Sequence, residues 1–260
     1  MKWGPVQTLV DAVEALGFET LGKSTEGRPI RGRRFGGPGP ALLVFGGIHG
    51  DEPASVEALI ELAARLTAGS LAALARSARV RLPEKTIVAH RASGAERLRD
   101  VPVWLLPAVN PDGVARGRKN SAHDVDLNRN FPARSFVTEH APGYFPGPAP
   151  LSEPETRVIA DLVAREPIGA VVAVHAPFAC VNYDGPAAPW AQAVAAACGW
   201  PARPDIGYPT PGSLGAWLGI DRGLPVLTLE LPSGPLAGFR SPAAAALDES
   251  IRAAPVKPRV

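Results

Sequence analysis

Five apolar runs rich in β-branched residues recur along the 260-residue chain, each closed by turn residues: Ala41 to Ile48, Thr86 to Ala89, Val103 to Val109, Ala170 to Val174 and Val226 to Leu229. Their continuity, without polar alternation, predicts strands buried on both faces. Between the runs the apolar positions take helical spacing over Pro53 to Leu66, Ser152 to Arg165, Ala188 to Cys198 and Ser213 to Ile220. Ser152 followed three residues later by Glu155 predicts a capping box that starts the second of these helices. Such alternation of strand and helix predicts an α/β fold: a mixed, mainly parallel β-sheet with helices on both faces, in one domain spanning residues 1–260. Ligands of such sheets bind outside the carboxyl ends of the strands. The segment 68–100, rich in Arg and Ala, fits no element beyond its short strand. The Pro-rich segment 133–150 is expected to be an ordered loop beside a site, because structureless stretches of that length in compact domains usually serve function.

Composition narrows the class. Hydrophobic residues make up 46% of the chain and charged residues 20%, with a formal net charge of +2, which is not the composition of a disordered segment. Gly 27 and Pro 29 imply many turns. Most basic residues are Arg, but acidic residues interleave with them, so no basic stripe marks a nucleic-acid partner. No run reaches the roughly 18 apolar residues of a membrane span. Cys180 and Cys198 are the two cysteines, and the start Met1-Lys2-Trp3-Gly4-Pro5 lacks the apolar run of a secretory leader, so a cytoplasmic protein with two free, buried thiols is expected. Nothing in the sequence marks an oligomeric state.

The chemistry lies where the strands end. The first run closes in Ile48-His49-Gly50-Asp51-Glu52-Pro53, a tight turn before a helix opened by Pro53, which lets His49 and Glu52 face a crevice. A neutral imidazole and a carboxylate are good zinc ligands, and a catalytic zinc needs a third ligand and an open position. His175, ending the fourth buried strand, supplies that ligand. Taken alone, His-x-x-Glu is as well explained by a satisfied loop histidine; two histidines ending two buried strands argue for the metal. His90 ends a strand but is followed by no partner acid at ligand spacing, and His90, His123 and His140 are all expected to be surface or structural residues. In Val125-Asp126-Leu127-Asn128-Arg129-Asn130-Phe131, four polar groups sit in an apolar frame and would be costly to half-bury without partners. A carboxylate ligand suits Asn128 and Arg129. Glu230 ends the last apolar strand; it is either a salt-bridged strand end or, beside a zinc-bound water, a general base. Tyr208 lies on a Pro/Gly loop able to close over a ligand.

In order, His-x-x-Glu, Asn110-Pro111-Asp112-Gly113, Asp126-Leu127-Asn128-Arg129-Asn130-Phe131, a strand-end His175, Tyr208 and Thr228-Leu229-Glu230 resemble the zinc metallocarboxypeptidases over roughly Gly22 to Pro232. The resemblance implies one zinc per chain on His49, Glu52 and His175, with Glu230 as the base that activates water. It implies that Asp126 orients a ligand histidine, that Asn128 and Arg129 clamp the free carboxylate of the departing residue, and that Tyr208 closes over it. Arg118 matches the arginine that polarises the scissile carbonyl, with Arg116 and Lys119 as neighbouring alternatives. Within the family, His175 to Cys180 and Gly207 to Gly215 are most similar to enzymes that trim recycled bacterial cell-wall peptides in the cytoplasm. The implied substrate is the murein tripeptide L-Ala-γ-D-Glu-meso-diaminopimelate, cut before diaminopimelate. An N-acyl amino acid deacylase of the succinylglutamate desuccinylase type shares some of these elements, but the intact Asn-Pro-Asp-Gly and the Tyr208 loop argue against it. A catalytically silent zinc or peptide-binding module would have no use for Glu230.

Overall fold

A computed structural model describes residues 13–67 and 101–256; the expected strand at 86–89, His90 and the rest of 68–100 lie outside the described residues. The strands are β1 (Glu19–Lys23), β2 (Pro29–Phe35), β3 (Ala41–Gly46), β4 (Val103–Leu106), β5 (Ile168–His175), β6 (Phe178–Asp184), β7 (Ala202–Arg203) and β8 (Val226–Pro232). Among the described residues they form one eight-stranded sheet in the order β1-β2-β4-β3-β5-β8-β6-β7. The inner strands β4, β3, β5 and β8 run parallel, whereas β2 and β6 pair antiparallel with their inner neighbours. This is the mixed, mainly parallel sheet that the apolar runs predict.

Every residue of β3 and β4 is buried, as continuous apolar runs require. On one face Leu42, Val44, Val172 and Leu229 pack under α1 (Pro53–Leu66), α4 (Ala188–Cys198) and α5 (Arg240–Arg252). On the other Leu43, Phe45, Val171 and Ala173 pack under α3 (Pro154–Arg165) and a wide helical turn, Gly215–Ile220. Each of the Leu, Val and Phe side chains contributes about 1.5 to 3 kcal/mol on burial, so the centre of the sheet is the stable frame of the molecule. Arg65 Nη2 donates to Asp248 Oδ1 at 2.8 Å and ties α1 to α5 through a buried pair. Cys180 and Cys198 are buried and free, as expected.

Two local expectations are corrected. The strands end at Gly46 and Leu106, and the residues beyond them form the turns that carry the site. The capping box at Ser152 does not form: α3 starts at Pro154, the Ser152 hydroxyl donates to Glu153, and Glu155 is fully buried, accepting the Thr25 N–H at 3.1 Å. Glu155 faces the turn between β1 and β2, and that tertiary partner displaces the local one. Asn110-Pro111-Asp112-Gly113 opens a short helix, α2 (Pro111–Arg116), with Asn110 accepting the Gly113 N–H at 2.8 Å.

That helix is pressed against the turn after β3. A Cβ on Gly50 would collide with the carbonyl carbon of Gly113, and backbone cannot swing aside. Gly50→Ala should therefore cost about 2 kcal/mol or more, near the upper end for overpacking. Gly238→Ala, where a Cβ meets nothing within 4 Å, should stay within about 0.5 kcal/mol of wild type. Urea unfolding of both variants checks this; equal stability of Gly50→Ala and wild type would remove the close approach.

Candidate metal centre and active site

Strand register builds the site. In the parallel pairing of β3 with β5, Gly46 lies opposite Val174, so the turn after β3 meets the end of β5; in that of β5 with β8, His175 lies opposite Glu230. The chain then steps over the end of β8 through Ala176 and Pro177 to enter β6, and the Phe178 N–H hydrogen-bonds the Glu230 carboxylate. Glu230 is thus held beneath a backbone arch, 5% exposed, and Oε2 has no hydrogen-bond partner among the described residues. Burial pushes its carboxyl up, which favours taking a proton.

His49, Glu52 and His175 present ligand atoms within 4.8 Å of one another. His49 Nδ1 is 2.8 Å from Glu52 Oε1, and His175 Nδ1 is 3.2 Å from Glu52 Oε2. The other ring nitrogen of His49, Nε2, donates to the buried Asp126 Oδ1 at 3.1 Å, which turns Nδ1 toward Glu52. Burial alone would lower the His49 pKa, but Glu52 and Asp126 outweigh it and raise it to about 10. Burial would likewise raise Glu52, but the two imidazoles hold it at about 2. A pocket that favours positive charge this strongly, walled by two imidazoles and a carboxylate, fits a divalent cation such as zinc.

Among the described residues two cations face the same cleft, Lys119 and Arg129. Lys119 Nζ donates to Asp126 Oδ2 at 2.7 Å and to Gly143 O at 3.2 Å, and lies 3.7 Å from the centre of the Tyr144 ring. Asn110 fixes the main chain there, its Nδ2 reaching the carbonyls of Ile48, Lys119 and Asn120, each at 3.2 Å. Arg118 is exposed and is not among the residues lining the cleft, and Arg116 is ion-paired with Glu26 on the surface. Of the three neighbouring candidates Arg116, Arg118 and Lys119, Lys119 is the one that lines the cleft.

Asn128 and Arg129 follow Asp126 in a short helical turn, Leu127–Arg129. The Leu214 N–H donates to Asn128 Oδ1 at 3.1 Å, so the amide NH₂ is left to face the cleft. Arg129 is 6% exposed; one guanidinium nitrogen donates to Asn128 O at 2.7 Å, and Tyr144 and Tyr208 flank the group. Tyr208 and Phe178 stand exposed at the mouth in edge-to-face contact, their ring centres 6.3 Å apart. His123 and His140 are at the surface, as expected, His123 paired with Glu153.

The sequence-derived set of His49, Glu52, His175, Asp126, Asn128, Arg129, Tyr208 and Glu230 is thus brought together, with Arg118 outside it. Sequence reasoning missed Tyr144 and Phe178. Tyr144 had one available signal, its place in the Pro-rich 133–150 segment, which carries no regular element and delivers that ring to the cleft.

Comparison with known proteins agrees. The model of peptidase family M14, zinc carboxypeptidase, matches residues 13–193. Murein peptide amidase A of Escherichia coli K12 is 30% identical over 233 residues, spanning 83% of this chain and 81% of that protein. The crystal structure of murein-tripeptide amidase from Escherichia coli O157 matches with a TM-score of 0.65 and 27% identity, over 90% of this chain and 91% of that one. Bovine thrombin-activatable fibrinolysis inhibitor shares the fold, with a TM-score of 0.70 at 18% identity over 97% of this chain and 95% of that one. With its strand order, its His-Glu-His set and these matches, the chain belongs to the zinc carboxypeptidase family of peptide hydrolases.

Proposed function

We propose that this peptide hydrolase is a zinc-dependent amidase that releases a terminal residue bearing a free carboxylate from short cell-wall peptides in the bacterial cytoplasm. The substrate proposed is L-Ala-γ-D-Glu-meso-diaminopimelate, cut between γ-D-Glu and diaminopimelate. The observation that carries this is the Asn128 and Arg129 pair turned into the cleft beside Glu230 and the His-Glu-His set. The likeness to murein peptide amidase A over most of both chains supports the substrate class.

His49, Glu52 and His175 would hold one zinc. When bound, the metal supplies a Lewis acid and lowers the pKa of a water. Glu230 Oε2 accepts a proton from the attacking water and returns it to the departing amine. Arg129 and the Asn128 amide NH₂ grip the carboxylate of the departing residue and set which bond lies over Glu230. Lys119 carries three donors; two are taken by Asp126 and Gly143, and the third serves the carbonyl oxygen as it gains charge. Tyr144, against Lys119, holds that ammonium in place. Tyr208 covers the departing residue.

The free tripeptide and its amide at the scissile-end carboxylate should differ in kcat/KM by about 10-fold to 100-fold, the scale of a charge-assisted hydrogen bond. In Arg129→Ala most of that difference should vanish, because either change breaks the same interaction. Equal rates for acid and amide in wild type would make the pair structural, and faster cleavage of N-succinylglutamate than of the tripeptide would replace the proposal with a deacylase. Lys119→Met should lower kcat by about 10²-fold to 10³-fold, the cost of one oxyanion donor. Arg118→Met should stay within about twofold. The reverse ranking in steady-state kinetics would return the role to Arg118.

A further inference from the structure

Asn130 belongs to the same polar run as Asp126, Asn128 and Arg129, yet no step of the reaction uses it. Its side chain is fully buried, where an amide is costly unless its donors and acceptor are met. They are met: Nδ2 donates to the carbonyls of Pro146 at 2.7 Å and Ala149 at 3.0 Å, and Oδ1 accepts the Thr156 hydroxyl at 2.7 Å. The main-chain carbonyl of Asn130 accepts the Leu151 N–H at 2.7 Å. One residue thus fixes the loop 146–151 against the start of α3.

The same loop delivers Tyr144. Apart from Phe145, Pro146 and Gly147, residues 139–150 are exposed, so apolar burial does little to fix their place. Polar ties do so instead. At one end of the turn that carries Asn128 and Arg129, the Asp126 N–H donates to Phe145 O at 2.7 Å; at the other, Asn130 Nδ2 takes the next carbonyl, that of Pro146. Tyr144 directly precedes this pair of carbonyls. Its ring centre is thereby brought to 3.7 Å from Lys119 Nζ, 5.3 Å from Arg129 Cζ and 6.3 Å from the ring centre of Tyr208.

We infer that Asn130 is a positioning residue: acting through the loop 143–151, it holds the Tyr144 ring against Lys119 and Arg129 and so sets where both cations point in the cleft. This rests on the roles proposed above for Lys119 and Arg129 and deepens them. Long cationic side chains have many rotamers, and an aromatic face held in place draws the charge toward one of them. A displacement of about 1 Å at the reacting groups, caused by a change far from them, can cost about 10²-fold in rate.

The test compares wild type, Asn130→Ala, Tyr144→Leu and the double variant by zinc content, urea stability, kcat, and the ratio of kcat/KM for a free acid to that for its amide. The substrate is whichever of the murein tripeptide and an L-peptide with a carboxyl-terminal aliphatic residue the wild type cleaves, so a wrong substrate assignment leaves the test standing. Each single variant should keep its zinc, lower kcat by about tenfold or more and shrink the acid-over-amide ratio. The double variant should lie within about twofold of Tyr144→Leu in kcat, because both changes remove the same placement, while it still loses the stability that the Asn130 amide contributes. Tyr144→Phe, which keeps the ring, should stay within about threefold of wild type. Thr156→Val, alone and with Tyr144→Leu, keeps Asn130 but removes the hydroxyl that orients its amide; it should show the same pattern at smaller size, and it decides the matter if Asn130→Ala does not fold. Losses in kcat that multiply in the double variant, or a loss of stability with kcat and the acid-over-amide ratio within about twofold of wild type, would overturn the inference and leave Asn130 a structural tie. Wild-type kinetics in Lys119→Met and Arg129→Ala beside an impaired Tyr144→Leu would instead reject the roles proposed for the two cations, while the comparison still decides whether Asn130 acts through Tyr144.

Discussion

His49 is held between two carboxylates, Glu52 at Nδ1 and Asp126 at Nε2, and the rest of the site depends on that grip. It can exist only because three strands end at the same height. The pairing of Gly46 with Val174 and of His175 with Glu230 fixes which side chains emerge at the edge, and a slip of one residue would send them to opposite faces. The buried frame that prevents such a slip is the continuous apolar register of β3, β5 and β8. Stability and chemistry here rest on the same hydrogen-bond ladder.

Asp126 links the two halves of the cleft. One of its oxygens orients His49, the other holds Lys119, and its main chain leads directly into Asn128 and Arg129. A change at Asp126 would therefore be felt at His49, at Lys119 and at Asn128 and Arg129 together. Asn110 does the corresponding work for the main chain, tying Ile48 to Lys119 and Asn120 with one side-chain amide.

The parts legible in the sequence are those whose physics is local or continuous. β3, β4, β5 and β8 show as unbroken apolar runs, and Asn128 and Arg129 stand out as polar groups in an apolar frame. β1 and β2 were not legible, because β1 is mostly exposed or half-buried and β2 alternates with arginines on its open side. β6 and β7 were missed as well; β6 is buried only in its middle and β7 is two residues long. Whether Arg118 or Lys119 faces the cleft could not be read from spacing, since the two follow Gly117 in a left-handed turn that ends α2 and neighbouring side chains leave in different directions. Glu155 obeyed the spacing of a capping box yet bonds a residue 130 positions away, a partner no local pattern records.

The central claim is that this sheet edge is a zinc site served by Glu230. Metal content and turnover on the murein tripeptide, measured side by side for wild type and Glu230→Gln purified without added metal, test it most directly. The account predicts one zinc per chain in both proteins and a turnover at least about 10²-fold lower in the variant, the scale of a lost general base. No zinc in the wild type, or turnover within a few-fold of wild type in the variant, would contradict it.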